Sequence, residues 1–117
     1  MKTVYLTHLM CAIALVSCAS NEPVPSAQMA VAEAAVQRAD TAGTRADAGS
    51  ELQIAVTKLA SAQDALAEND NARARRLAEQ AELDAQVAEM SAQAMRATNA
   101  ARESEEATRQ LIEQIRR

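Results

Sequence analysis

Residues Asn71–Ile115 read NARARRLAEQAELDAQVAEMSAQAMRATNAARESEEATRQLIEQI, forty-five positions without a glycine or a proline. Alanine, leucine, glutamate, glutamine and arginine dominate, and these are the strongest helix formers, so the stretch reads as one continuous helix. At a rise of ~1.5 Å per residue such a rod is about 68 Å long.

The rod carries two apolar seams. One is Ala78, Ala81, Ala85, Ala88, Ala92 and Met95, stepping by threes and fours and therefore lying on one side of a helix. The other is Leu83, Val87, Met90, Ala94, Ala97, Ala101, Ser104, Thr108, Leu111 and Ile115, with the same step. Glu79, Glu82, Gln86, Glu89, Gln93, Arg96 and Glu103 fall on a third, polar face. The first half of the rod is thus expected to touch a neighbour on each of two sides. Past Met95 the first seam fails, because Asn99, Arg102, Glu106 and Arg109 take its next positions, while the second runs on.

Working back from the rod, Asn69-Asp70-Asn71 reads as a turn. Asn69 tolerates the left-handed conformation that ends a helix, and Asp70 can cap the rod. The preceding helix is expected from a Ser50/Gln53 capping box to about Glu68, with a seam of Leu52, Leu59 and Leu66 and with Ala55, Val56 and Ala62 between them. Thr41 to Gly49 holds both glycines of the chain and is expected to be a break. A first helix is expected from a Ser26 cap to about Thr41, with Ala27, Ala30, Val31, Ala34 and Ala35 inward and Glu33, Gln37 and Asp40 outward. The fold class is all-α: an antiparallel helical hairpin with a long C-terminal helix and a shorter N-terminal helix, three helices in a coiled-coil-like domain over residues 26–117. Folded back from Asp70, the middle helix can cover the rod only to about Met90.

The 117 residues carry a formal charge of −4 and are 49% hydrophobic, but alanine supplies about half of that fraction. Burial contributes roughly 25 cal/mol per Å², so an alanine core is thin and leans on helix propensity and close backbone approach. The acidic balance argues against nucleic acid as a partner, since Arg73, Arg75 and Arg76 are interleaved with Asp70, Glu79 and Glu82.

Residues 1–17 stand apart from this pattern. Lys2 gives a short positive start, Val4 to Val16 is mostly apolar, and the segment ends in Leu15-Val16-Ser17-Cys18. This resembles a bacterial lipoprotein signal, with a leucine three positions before the cysteine and modest residues between. The resemblance implies cleavage before Cys18, acylation of its sulfur and of the new amino terminus, and membrane attachment through that lipid. An ordinary signal peptide and an uncleaved anchor are the alternatives, although about thirteen apolar residues fall short of the ~20 that span a bilayer. Ala19, rather than an aspartate, points by the same resemblance to the outer membrane, with the protein facing the periplasm. Residues 18–25, Cys-Ala-Ser-Asn-Glu-Pro-Val-Pro, read as a lipidated, proline-stiffened tether.

Removing residues 1–17 takes away Tyr5, His8 and Cys11. The remaining chain has no histidine, no aromatic residue and no thiol besides Cys18, and its eleven basic and sixteen acidic residues give −5. That excludes nucleophilic triads, imidazole-bearing zinc sites and glycine-rich phosphate loops. No catalytic residue, cofactor or metal site is expected. Glu103, Glu105, Glu106 and Glu113 read as a solvated face.

Glu51-Leu52, Lys58-Leu59-Ala60, Asp70 and the run Ala74 to Ala85 (ARRLAEQAELDA) resemble the bacterial family labelled domain of unknown function 4398. Its members are small alanine-rich lipoproteins or precede a peptidoglycan-binding domain of the outer-membrane protein A type, and no such domain is expected here. The name implies no activity. The chain is also similar to the alanine-zipper lipoproteins, some of which end in a lysine joined to peptidoglycan; here Ile115-Arg116-Arg117 stands at the end and Lys58 lies in mid-helix. A single tetratricopeptide-like hairpin lacks that repeat's aromatic and proline positions. The expected function is therefore a non-enzymatic, lipid-anchored envelope spacer or docking protein. The alternative is a binding module for an envelope protein or for peptidoglycan. Ala97, Ala101, Leu111 and Ile115 are the candidate self-association seam of a homo-oligomer.

Overall fold

The computed structural model describes residues 22–117; the signal-like segment 1–17, Cys18 and residues 19–21 of the tether lie outside the described residues. Within them the chain forms α1 (Ser26–Ala39), α2 (Ala42–Asp47), α3 (Gly49–Ala67) and α4 (Asn71–Arg116). The all-α class and the long C-terminal helix are as expected, and α4 runs unbroken for 46 residues.

The hairpin between α3 and α4 is closed by hydrogen bonds that the sequence announces. Asn69 has φ 62°, and its N–H donates to the Leu66 carbonyl while that of Asp70 donates to Ala65, the paired bonds of a Schellman motif. The Asp70 carboxylate then accepts the Arg73 N–H at 2.9 Å and starts α4.

Three long helices meet on one stripe of alanines. Ala74, Ala78, Ala81, Ala85, Ala88 and Ala92 of α4 are fully buried. Near the start of α4, Met29 and Ala32 of α1 and Ala62 of α3 pack with Ala78 and Ala81. Farther along, Val36 and Ala39 of α1 and Leu52 and Ala55 of α3 pack with Ala85 and Ala88. Residue numbers rise along α1 and fall along α3, so α1 runs parallel to α4 and α3 antiparallel to both. Ion pairs hold the flanks, Lys58 to Asp84 at 2.6 Å on the α3 side and Arg38 to Glu89 at 3.1 Å on the α1 side.

Several expectations are corrected. The two sides of α4 do not each receive a neighbour: α1 and α3 both converge on the alanine seam, and Leu83, Val87 and Met90 face outward. Alanine packs closer than leucine or methionine, which lets two helix backbones approach the same stripe. In α1 the buried residues are Met29, Ala32, Ala35, Val36 and Ala39, whereas Ala27, Ala30, Val31 and Ala34 are exposed. The larger Met29 and Val36 together select the face, because Ala27, Ala30 and Ala34 with the single Val31 offer less apolar area. Ser26 is the first residue of α1 rather than its cap, and α1 ends at Ala39. The segment 41–49 is not an open break. Thr41 accepts the Thr44 N–H at 3.1 Å and nucleates α2. Neither glycine there has positive φ; at Gly43 a side chain would meet the Arg96 guanidinium 3.0 Å away. The Ser50/Gln53 box does not form, since α3 begins at Gly49 and the Ser50 hydroxyl donates to Glu51 at 2.6 Å. In α3, Leu52, Ala55, Ala62 and Ala65 are buried and Leu59 and Leu66 pack at the edge, but Val56 is exposed.

Candidate functional site

Two features of the bundle set its working geometry. The first is its base. The Asn71 side chain donates to the Glu22 carbonyl at 2.6 Å, and Arg75 makes an ion pair with the Glu22 carboxylate. Pro25 is buried and its carbonyl accepts the Met29 N–H at 3.0 Å. The described end of the tether is therefore tied at Glu22 to the amino-terminal end of α4.

The second feature is the opposite end. Ala92 is the last buried residue of α4, and Met95, expected to close the alanine seam, is about half exposed. Arg96 reaches back to Asp47 of α2 at 3.5 Å and marks the lip of the bundle. From Gln93 to Arg116 every residue is exposed, so some 24 residues of helix, ~36 Å, project as an arm that touches the bundle through Arg96 at its start. The cover ends two residues past the Met90 limit expected from helix lengths.

All four residues of the expected self-association seam lie on this arm: Ala97 and Ala101 are exposed, Leu111 is 59% and Ile115 85% exposed. The seam is longer than the arm. Leu83 at 60%, Val87 at 50% and Met90 at 67% continue it down the outer wall of the bundle, back to back with the buried alanines. The seam pattern predicts a helical neighbour for these three, whereas they lie at the surface, and Ile112, half exposed beside Leu111, adds to the expected seam. The signal was present in the unbroken three-four step from Leu83 to Ile115.

The groups whose titration is displaced lie elsewhere. Arg45 Nε donates to Asp40 at 2.6 Å, which holds the Asp40 carboxyl below the usual carboxylate range and raises Arg45. The Ser50 hydroxyl holds Glu51 low in the same way. Both sites are solvent-facing, and neither adjoins the arm. Among the described residues no group of three or more His, Cys, Asp or Glu side chains is gathered to hold a metal ion. No described helix is long and apolar enough to cross a membrane.

No curated protein and no solved structure matches the chain. One family model does, over residues 27–113, from α1 nearly to the end of α4. The chain belongs to the family described as Domain of unknown function (DUF4398).

Proposed function

We propose that this protein is a non-enzymatic, lipid-anchored protein of the bacterial cell envelope, held at the outer membrane by Cys18 and extending into the periplasm as a helical spacer with a docking arm. The observation that carries the reading is the polarity of the rod. Glu22 is bound at the base of α4 by Asn71 and Arg75, and the uncovered arm points the other way. Three residues separate Cys18 from Glu22, and the four Cα-to-Cα steps reach at most about 14 Å when extended. A lipid on Cys18 would keep the base close to the bilayer surface. The 46 residues of α4 would then carry its tip as far as ~69 Å away.

Lipid makes physical sense for this chain. Each buried methylene contributes ~0.8 kcal/mol, so two or more acyl chains hold a protein essentially without release. The bundle offers no apolar span to do so itself. Mass spectrometry of the mature amino terminus, combined with envelope fractionation, tests the proposal. It predicts an acylated Cys18 in the outer-membrane fraction; a free Cys18 thiol or a native chain still bearing Met1 overturns it. Pull-down of the lipidated protein separates the two roles, because a spacer recovers chiefly itself and a binding module for an envelope protein or peptidoglycan recovers that partner in stoichiometric amount.

A further inference from the structure

We infer that the outer face of α4, from Leu83 to Ile115, pairs two copies of this chain as a parallel two-stranded coiled coil. This names the occupant of the face treated above as the docking element, and it rests on that reading of the arm.

The exposed seam obeys a strict heptad over 33 residues. Leu83, Met90, Ala97, Ser104 and Leu111 occupy d, and Val87, Ala94, Ala101, Thr108 and Ile115 occupy a. No a or d position carries a charge. The flanking e and g positions are neutral too, apart from Glu105 and from Asp84, which Lys58 already engages at 2.6 Å. Arg96, Arg102, Glu103, Glu106, Arg109 and Glu113 all fall on b, c and f, away from the seam. A bilayer surface or an anionic wall polymer calls for basic residues flanking the apolar strip, and this strip has none. A neutral strip fits another neutral helix face, and the same face of a second copy meets that condition along its whole length.

Residue sizes and branching point the same way. The small residues Ala94, Ala97, Ala101 and Ser104 sit at the middle and the bulky ones at the ends. Two helices crossing near Asn99 are closest where the side chains are smallest and diverge where larger ones fill the gap. β-Branched Val87, Thr108 and Ile115 at a, with Leu83 and Leu111 at d, are the combination that favours two parallel strands. In that register Gln86 and Gln93 lie opposite Ser91 and Thr98 of the second copy; the like charges Glu79 and Asp84 approach only at the start of the seam, where Lys58 engages Asp84. A strip ~50 Å long on a helix ~10 Å wide gives on the order of 1,000 Å² over both copies, about the lower bound for a specific interface. Because α1 and α3 occupy the opposite side of α4, the two bundles do not obstruct the contact. Parallel pairing also brings both Glu22 lead-ins to one end.

The test uses the chain from Ala19 to Arg117, which contains every described helix and no cysteine. Sedimentation at tens of micromolar is expected to give twice the chain mass. Leu111→Glu with Ile115→Glu should return it to one chain mass with helicity and bundle melting retained. Leu83→Cys and Ile115→Cys, oxidised separately, should each cross-link to a like copy. A monomer at that concentration, or a trimer, overturns the inference, as does a disulfide that forms only between the Leu83→Cys and Ile115→Cys chains, the mark of antiparallel pairing. Lipidation is read independently from the mature amino terminus, so either reading can fail without the other.

Discussion

Residues 71–92 and 93–116 of α4 belong to one helix of nearly constant composition, yet they live in different surroundings. In the first half six alanines are sealed beneath α1 and α3; in the second, Ala94, Ala97, Ala100, Ala101 and Ala107 are all open to solvent. Overall composition does not separate the halves. What separates them is what stands on the face opposite the outer seam: alanines at 78, 81, 85, 88 and 92, but asparagine, arginine and glutamate at 99, 102, 106 and 109. Charges at those positions make a second bundle layer unfavourable, since each would have to be desolvated. One face of the helix is thus specified for its own chain, and the opposite apolar face is left exposed.

The sharpest way to break this comparison is to enlarge one alanine in each half. Ala85→Leu forces side-chain volume between α1, α3 and α4, and overpacking of this kind costs about 1 to 3 kcal/mol. Thermal melting in dilute solution should fall clearly for Ala85→Leu and not for Ala101→Leu. Similar losses for both would mean that the arm is packed like the bundle.

Next in size is the cap at the junction. Asp70→Ala removes the acceptor for the Arg73 N–H and should cost about 1 kcal/mol. Hydrogen exchange should quicken in the first turn of α4 and leave the arm unchanged. Gly49→Ala is expected to act in the opposite direction. Nothing lies within 4 Å of the added carbon and the backbone is ordinary helix, so fewer unfolded conformations should stabilise the bundle by roughly 0.5 kcal/mol. A lowered melting temperature would contradict the helical start at Gly49.

How much of this was legible in the sequence depends on side-chain size. The rod, the left-handed Asn69, the Asp70 cap and the alanine seam follow from residues with one strong preference each. The inward face of α1 did not, because Ala27, Ala30, Ala32, Ala34 and Ala35 make nearly every face acceptable and the choice falls to Met29 and Val36 in a packed context. The α2 turn was hidden by Gly43, whose role is to leave room for Arg96 from a distant part of the chain. The outer seam was visible as a pattern, but its exposure was not, since periodicity cannot tell an intrachain neighbour from an intermolecular one. The pinning of Glu22 by Asn71 and Arg75 has no local signature at all.

The smallest expected effect concerns acid. The bond from Arg45 lowers the native pKa of Asp40, so its contribution to stability is present above the usual carboxylate range and is lost as pH falls through the lowered native value. Glu51 behaves alike through Ser50. Both groups are exposed and screened by salt, so the change should be slight. Side-chain NMR titration should find both midpoints below those of unstructured peptides, and Arg45→Gln should restore Asp40 alone. Acid should leave the contrast between the two halves of α4 in place.

Hydrogen exchange at two protein concentrations measures that contrast most directly. Amides of residues 74–92 should be protected whether the chain is dilute or concentrated, because their partners belong to the same molecule. Amides of residues 93–116 should exchange freely when dilute and become protected at tens of micromolar, as the outer seams of two copies close. Protection of the arm equal to that of the bundle at high dilution, or no protection of the arm at either concentration, would contradict the account.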